Sequence, residues 1–422
     1  MTIQYDPFSP AVRENPYPYY AALRDEAPVH WAETTRAFVV SRYEDVAFVL
    51  RSPELFSSDA MRTMLISGSG PEAMNDPATV KRMVALAGSL PFSIPELMTS
   101  RNLIAEDPPL HGILRGLVNR GFTPRRIQDW EARARAIVED CVAGLRGGGD
   151  FDVVHDLAIP LPVTLIAEIL GVEPERMADF KRWSDAIVSG ISGSGRERDP
   201  VESGFAAAMA ELTSYIRAVV ERREREPGDD LISVLVQARE GAAGLSTLDV
   251  VMFVILLLSA GNETTTNLIG NATCALLSHP EQLARVHAER GLVPALVEEA
   301  LRYESPIQLI FRRATRDVEI AGTRIAANSM VIPLLASANR DERQWGPDAG
   351  AFRIDRNPQG HLAFGFGIHF CLGASLARLE ARLALDALVD LLPGRVRGTG
   401  PLEYVDSYMV RGPAKLELAA AV

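Results

Sequence analysis

The chain has 422 residues, 47% hydrophobic and 23% charged, with a formal net charge of −12 at pH 7. That composition supports a large buried core, and the acidic balance argues against a nucleic-acid partner, which needs a net basic face. Cys141, Cys274 and Cys371 form no CxxC pair, so neither a disulfide framework nor a cysteine-rich zinc site is expected, and cysteine usage fits a reducing compartment.

The N-terminus, MTIQYDPFSPAVRENPYPYY, has neither the basic nor the apolar region of a signal peptide. Residues 29–31 and Ala37–Val40 read as a strand hairpin, with a helix starting near Tyr43. Residues 59–105 form a long irregular segment, and such segments are usually functional or mobile. From Asp107-Pro-Pro the chain turns helical, because proline suits a first helical turn; the run stops near Leu145, before Gly-Gly-Gly-Asp. Residues 161–240 are mostly helical, interrupted by SGISGSGRERDPVESG, read either as a solvated loop or as the hinge of a lid. Ser246 and Asp249 have capping-box spacing. The helix they open runs to about Ser278, before Pro280, and spans roughly 45–50 Å. Its first half is apolar on every side, so it is buried and central. Its longest apolar run, about Val250 to Leu258, is far short of the roughly 20 residues that cross a bilayer. Shorter helices reach Tyr303. Short strands around AGTRIAANS, a Pro/Gly-rich meander from Asp341 to Gly360 and a last helix from about Leu372 follow. No repeat or linker divides the chain. The expected fold is one domain over residues 1–422, mainly α with small β-sheets (α+β): strand-richer at about 1–100, helical at 107–305, mixed at 306–422.

Four constellations carry chemistry. AGNETTTN, Ala260 to Asn267, puts a glycine, an acid and three threonines at the centre of a buried helix. Burying Glu263 unpaired would cost several kcal/mol, and Gly261 adds about 1 kcal/mol of helix cost. Thr264 can bond back to the Ala260 carbonyl, which leaves a polar notch in an apolar wall. Glu299 and Arg302 share a helix face. His111 and Arg115 do likewise, and with Arg312 and His369 they can donate to an anion. FGFGIHFCLG, Phe364 to Gly373, is neither GxGxxG nor a P-loop, and it lacks the ligands for zinc. A redox or nucleophilic cysteine remains open. So does a thiolate at a loop-to-helix junction, where free N–H groups favour an anionic sulfur. Gly365 and Gly367 permit turns closed to other residues, and Gly373 would let a flat cofactor approach. Such a thiolate suits an axial iron ligand.

With those motifs assembled, the sequence resembles the cytochrome P-450 superfamily of haem-thiolate monooxygenases, in its soluble bacterial branch. Phe364-Gly365-x-Gly-x-His369-x-Cys371-x-Gly373 matches the family's cysteine loop. Ala260-Gly261-x-Glu263-Thr264 matches its oxygen-activating motif, Glu299-x-x-Arg302 its internal ion pair, and His111-x-x-x-Arg115 a haem-propionate motif. The resemblance spans nearly the whole chain. It departs at Asn262, expected to face the pocket, and at Ala351, where an arginine is common before the phenylalanine equivalent to Phe352. Arg353 is the expected substitute as third partner of Glu299 and Arg302.

The resemblance implies a haem b cofactor ligated by Cys371, with O2 as co-substrate. It implies that Thr264 and Glu263 serve oxygen activation and proton delivery, that His111, Arg115, Arg312 and His369 hold the propionates, and that Glu299 and Arg302 are structural. The substrate pocket would lie under residues 59–105 and 180–205, lined by Leu257, Asn262, Ile307, Leu309, Ile310 and Tyr408. A hydrophobic small molecule would be the substrate. A ferredoxin or flavodoxin with its NAD(P)H reductase would supply electrons, docking on arginines such as Arg120 and Arg378. The protein would be a cytoplasmic monomer with no membrane or nucleic-acid contact. A haem-thiolate peroxygenase or isomerase is the alternative enzyme, and a haem sensor the non-catalytic one. Cys141 and Cys274 are read as small core residues.

Overall fold

The computed structural model describes residues 5–62, 88, 90–192, 204–238, 244–398 and 400–420. Val29–Ala32 and Ala37–Val40 form the expected hairpin, with Val29 opposite Val40. Val39 and Val40 are fully buried, so the hairpin extends inward. Ala37–Val40 runs parallel to Met330–Pro333, which pairs with Arg312–Ala314, which in turn carries Phe56–Ser57 at the edge. A second sheet joins Phe151–Asp152, Glu417–Ala420 and Arg395–Arg397. Val318–Ile320 and Thr323–Ile325 make a tight hairpin whose turn residues, Ala321 and Gly322, both have positive φ.

The helical bulk is built around Thr247–Ser278. Both halves of its capping box form: the Asp249 N–H donates to Ser246 Oγ and the Ser246 N–H to Asp249 Oδ2. Pro280, which cannot continue that helix, opens the next one, Pro280–Ala288. The central helix packs against Pro160–Leu170, Met177–Ser192, Val293–Tyr303 and Ala374–Leu391. By length and hydropathy it passes for a membrane span. Its buried residues nonetheless belong to the main core, with Leu165, Ile187, Leu296 and Leu385. The last helix begins at Ala374, two residues beyond expectation, because Leu372 and Gly373 complete the cysteine loop.

The segment read as a solvated loop or as the hinge of a lid divides. Met177–Ser192 is continuous helix, so the connection is shorter than its glycine and serine content implies, and residues 193–203 lie outside the described residues. Within 59–105, residues 63–87 and 89 lie outside them, and Ile94–Thr99 is a helix.

Candidate active site

The cysteine loop is held by its glycines. Gly365 and Gly367 have φ of 71° and 72°, and a Cβ on Gly367 would stand 2.7 Å from the Leu50 carbonyl oxygen. Both positions exclude an ordinary side chain. The Cys371 N–H closes the loop on the Phe364 carbonyl at 2.9 Å. Burial pushes the Cys371 thiol up; the Gly373 backbone N–H and the charges of Arg115 and Arg378 act in the opposite direction. A Cβ on Gly373 would meet nothing within 4 Å, so the surface beside the sulfur is open.

The central helix opens along one stripe at its middle. Leu257 and Thr264 are partly exposed and Ala260 and Gly261 exposed, whereas Leu258 and Thr265 are buried. The spacing i, i+3, i+4, i+7 is one helical face. A Cβ on Gly261 also meets nothing within 4 Å. Thr264 Oγ1 donates to the Ala260 carbonyl at 2.7 Å, as its position predicts. Glu263 is partly exposed rather than buried, which removes most of the expected burial cost. Asn262 does not face the pocket: it is buried, and its amide donates to Ser184 Oγ at 3.3 Å on Met177–Ser192. It lies on the opposite side of the helix from the open stripe.

The four basic residues come together from three distant segments. The rings of His111 and His369 have centroids 4.3 Å apart, and Arg312 and Arg115 lie close enough to depress both histidines. Burial, then the charges of Arg312, His111 and Arg115, pulls His369 down to about 3. Burial takes Arg312 down to about 10. None of the four has a salt bridge among the described residues; Arg312 donates to the Phe311 carbonyl and Arg115 to Asn119. His111 Nε2 is buried without a hydrogen-bond partner. The nearby Asp107 carboxylate is already engaged by Ser57 and by the Ser58 N–H.

Glu299 and Arg302 are both fully buried. Arg302 makes five hydrogen bonds: two to Glu299 and one each to the carbonyls of Asn339, Ala349 and Ala351, at 2.7–2.9 Å. The third partner is Arg356, not Arg353. Arg356 Nε lies 3.4 Å from Glu299 Oε1 and its side chain is 8% exposed. Arg353 offers Glu299 only its backbone N–H and turns its side chain out to Asp348 and Asp355. The chain reverses between these residues, so the later arginine, not the one next to Phe352, points inward.

The pocket residues separate. Ile307 and Ile310 are partly exposed. Leu309 is 1% exposed within the N-terminal cluster of Tyr5, Val12 and Tyr20, so it faces away from any cavity wide enough for water. The Tyr408 ring packs on Phe8 and Phe311 in the same cluster. Arg120 is exposed. Arg378, expected at a docking surface, is partly exposed and pairs with Glu298 through two bonds of 2.6 and 2.9 Å.

Comparison with known proteins agrees with this geometry. A family model described as Cytochrome P450 matches residues 198–392. The putative cytochrome P450 YjiB of Bacillus subtilis is 38% identical over 90% of this chain and 88% of its own. Vitamin D(3) 25-hydroxylase of Pseudonocardia autotrophica is 37% identical over 98% and 96%. The solved structure of cytochrome P450 CYP109Q5 from Chondromyces apiculatus superposes with a TM-score of 0.84 at 42% identity, covering 100% of this chain and 99% of that one. The chain belongs to the cytochrome P450 family. This P450 is a haem-dependent monooxygenase of small molecules that uses a cysteine-ligated haem b and O2, and its fold is the P450 fold.

The residues present fit the cofactor. A dianionic haem needs cations at one edge and clearance on both faces. The chain offers a basic quartet without acid partners, an orphaned His111 nitrogen, and glycines 261 and 373 with nothing opposite them. Reading the sequence missed Arg356 and the Glu298–Arg378–His361 group. It also missed Glu380, an acid 3% exposed on the last helix and bonded to Thr265. Glu380 carries a legible signal, since it lies on the apolar face with Leu376, Leu383 and Ala384.

Proposed function

We propose that Cys371 is the thiolate that holds the haem iron, with His111, Arg115, Arg312 and His369 binding the propionates and Phe364, Gly365, Gly373, Ala260 and Gly261 framing the cofactor. The observation that carries this reading is a basic quartet with no acid partner among the described residues and an orphaned His111 nitrogen, beside a glycine-cleared cysteine loop. When bound, haem b supplies the redox chemistry that inserts one oxygen atom of O2 into a C–H bond. Thr264 commits its hydroxyl proton to the Ala260 carbonyl, so Oγ1 presents lone pairs to the open stripe and accepts a hydrogen bond there. Glu263, partly exposed next to it, passes protons inward from solvent. General acid assistance of this kind is typically worth ~10²–10⁴ in rate. Glu299 and Arg302 support the cysteine loop. Leu257, Ile307 and Ile310 present apolar surface to a hydrophobic substrate. The chain works as a single-domain monomer in the cytoplasm, reduced by a ferredoxin or flavodoxin with its NAD(P)H reductase, and exposed Arg120 is a docking candidate.

The reduced, carbon monoxide-treated protein is expected to show the strongly red-shifted Soret band of thiolate ligation, and Cys371→Ser to lose it. An unchanged band in Cys371→Ser would overturn the ligand assignment. Thr264→Ala is expected to keep consuming NAD(P)H but to release hydrogen peroxide, with product down by on the order of 10²-fold. Undiminished coupling to product would show that another group delivers the protons.

A further inference from the structure

We propose that Arg378 is a positioning residue for Cys371: clamped by Glu298 and His361, it lies over the Phe364 ring and fixes a positive charge beside the cysteine loop. The group draws on three elements. Glu298 comes from Val293–Tyr303 and is the residue before the buried Glu299. Arg378 comes from the first turns of Ala374–Leu391. His361 stands three residues before Phe364.

The geometry is a closed set. Arg378 Nε and Nη2 meet the two Glu298 oxygens at 2.6 and 2.9 Å, the fork that fixes a guanidinium plane. His361 Nε2 lies 3.1 Å from Glu298 Oε2, and its Nδ1 accepts the Ala363 N–H at 3.3 Å. That second bond places the ring proton on Nε2, so neutral His361 already donates to Glu298. Burial would push Glu298 up, but the bonds from Arg378 and His361 outweigh it and hold its carboxyl at about 2. The clamp therefore stays ionised throughout the working pH range.

The clamped guanidinium stands 4.5 Å from the centre of the Phe364 ring, a cation–π contact. The His361 ring lies 5.9 Å from the same ring. Phe364 in turn accepts the Cys371 N–H on its carbonyl. Side chain and backbone of one residue thus connect the clamp to the sulfur-bearing residue. This guanidinium spends its fork on Glu298.

This inference rests on Cys371 being the iron ligand, and the test separates the two. The wild-type holoenzyme, Arg378→Gln, Arg378→Lys and Glu298→Gln are compared without any redox partner. The readouts are the haem midpoint potential, the iron–sulfur stretching frequency, and the rate at which the carbon monoxide complex loses its red-shifted band. A fixed cation favours the more negative reduced state. Arg378→Gln is therefore expected to shift the potential negative, by roughly tenfold in the ferric-to-ferrous ratio at fixed potential, and to lose the band faster. Arg378→Lys keeps the charge but not the fork, so it should retain most of the potential and still lose the band faster; Glu298→Gln should also lose it faster. If Arg378→Gln loads no haem, the lysine and Glu298 variants still decide the matter. Potentials, frequencies and band lifetimes all equal to wild type would overturn the proposal, including the case in which only salt-dependent reduction by a ferredoxin changes. A wild type without the red-shifted band would overturn the ligand reading, and this inference with it.

Discussion

Glu380 is the residue whose chemistry differs most from its sequence appearance. It reads as one more charge on a helix that also carries two arginines and two aspartates, yet it is enclosed in the main core against Thr265. Burial raises its carboxyl to about 8, only partly countered by the Thr265 hydroxyl, so it is protonated at neutral pH. A folded-state value above the unfolded one means that the folded chain keeps a proton the unfolded chain gives up. Stability is fully present below about 4.5 and declines as pH rises toward 8. Glu380→Gln, which retains shape and donor, should therefore cost under about 1 kcal/mol at pH 5 and flatten the loss between pH 6 and 8.5. Urea unfolding of both proteins across that range reads the difference; parallel curves would mean that Glu380 is ionised in the fold. The other cysteines follow the same rule: burial, only partly countered by nearby cations, raises Cys141 and takes Cys274 to about 12, which suits inert thiols.

At the scale of elements, Arg302 joins a helix to the meander. All five of its N–H bonds go to fixed acceptors on Val293–Tyr303 and on the segments around Asn339 and Ala349–Ala351, and lysine cannot reproduce that fork. Arg302→Met, which removes the cation as well as the fork, should cost ~3–5 kcal/mol, the usual result of removing one side of a buried pair, and should lower haem incorporation. Arg356→Ala should cost less but remain measurable, because a second cation is lost from a buried carboxylate. Arg353→Ala should leave stability nearly unchanged, since its side chain makes only exposed pairs. Denaturant midpoints of the three variants rank them, and an Arg353 effect larger than that of Arg356 would reverse the assignment. Neighbouring sequence pointed to Arg353 because alignment with Phe352 counts residues. Which arginine turns inward depends on how the meander reverses, and local spacing does not encode that.

Over the whole molecule, the basic quartet controls how stability depends on pH. His111 and His369 are both held below the ordinary histidine value, His369 at about 3. The folded chain resists protons that the unfolded chain takes up near pH 6.5. Stability is therefore lost as pH falls from about 6.5. The carboxylates of haem would offset the crowded positive charge and relieve that loss. Thermal midpoints of the haem-free and haem-loaded protein should thus diverge as pH is lowered from 7 to 5.5. Equal slopes would indicate that the quartet does not face the cofactor's acidic edge. The same scale explains the central helix. Its length and hydropathy pass for a membrane span, and the helices packed around it bear out its reading as a buried core element.

The sequence by itself determined the family, the cysteine loop, the central helix with its cap and its Thr264 back-bond, and the two buried partners of the ion pair. Each is written in contiguous residues, where glycine conformation, capping and helical spacing act over one or two turns. Tertiary structure alone decided that Asn262 turns to Ser184, Leu309 to the N-terminal cluster, Arg356 to Glu299, Arg378 to Glu298, and Glu380 to a buried threonine. Those choices depend on which segments, tens to hundreds of residues apart, pack against each other. Burial and charge pairing, not local propensity, then fix where a side chain points and whether it carries a charge.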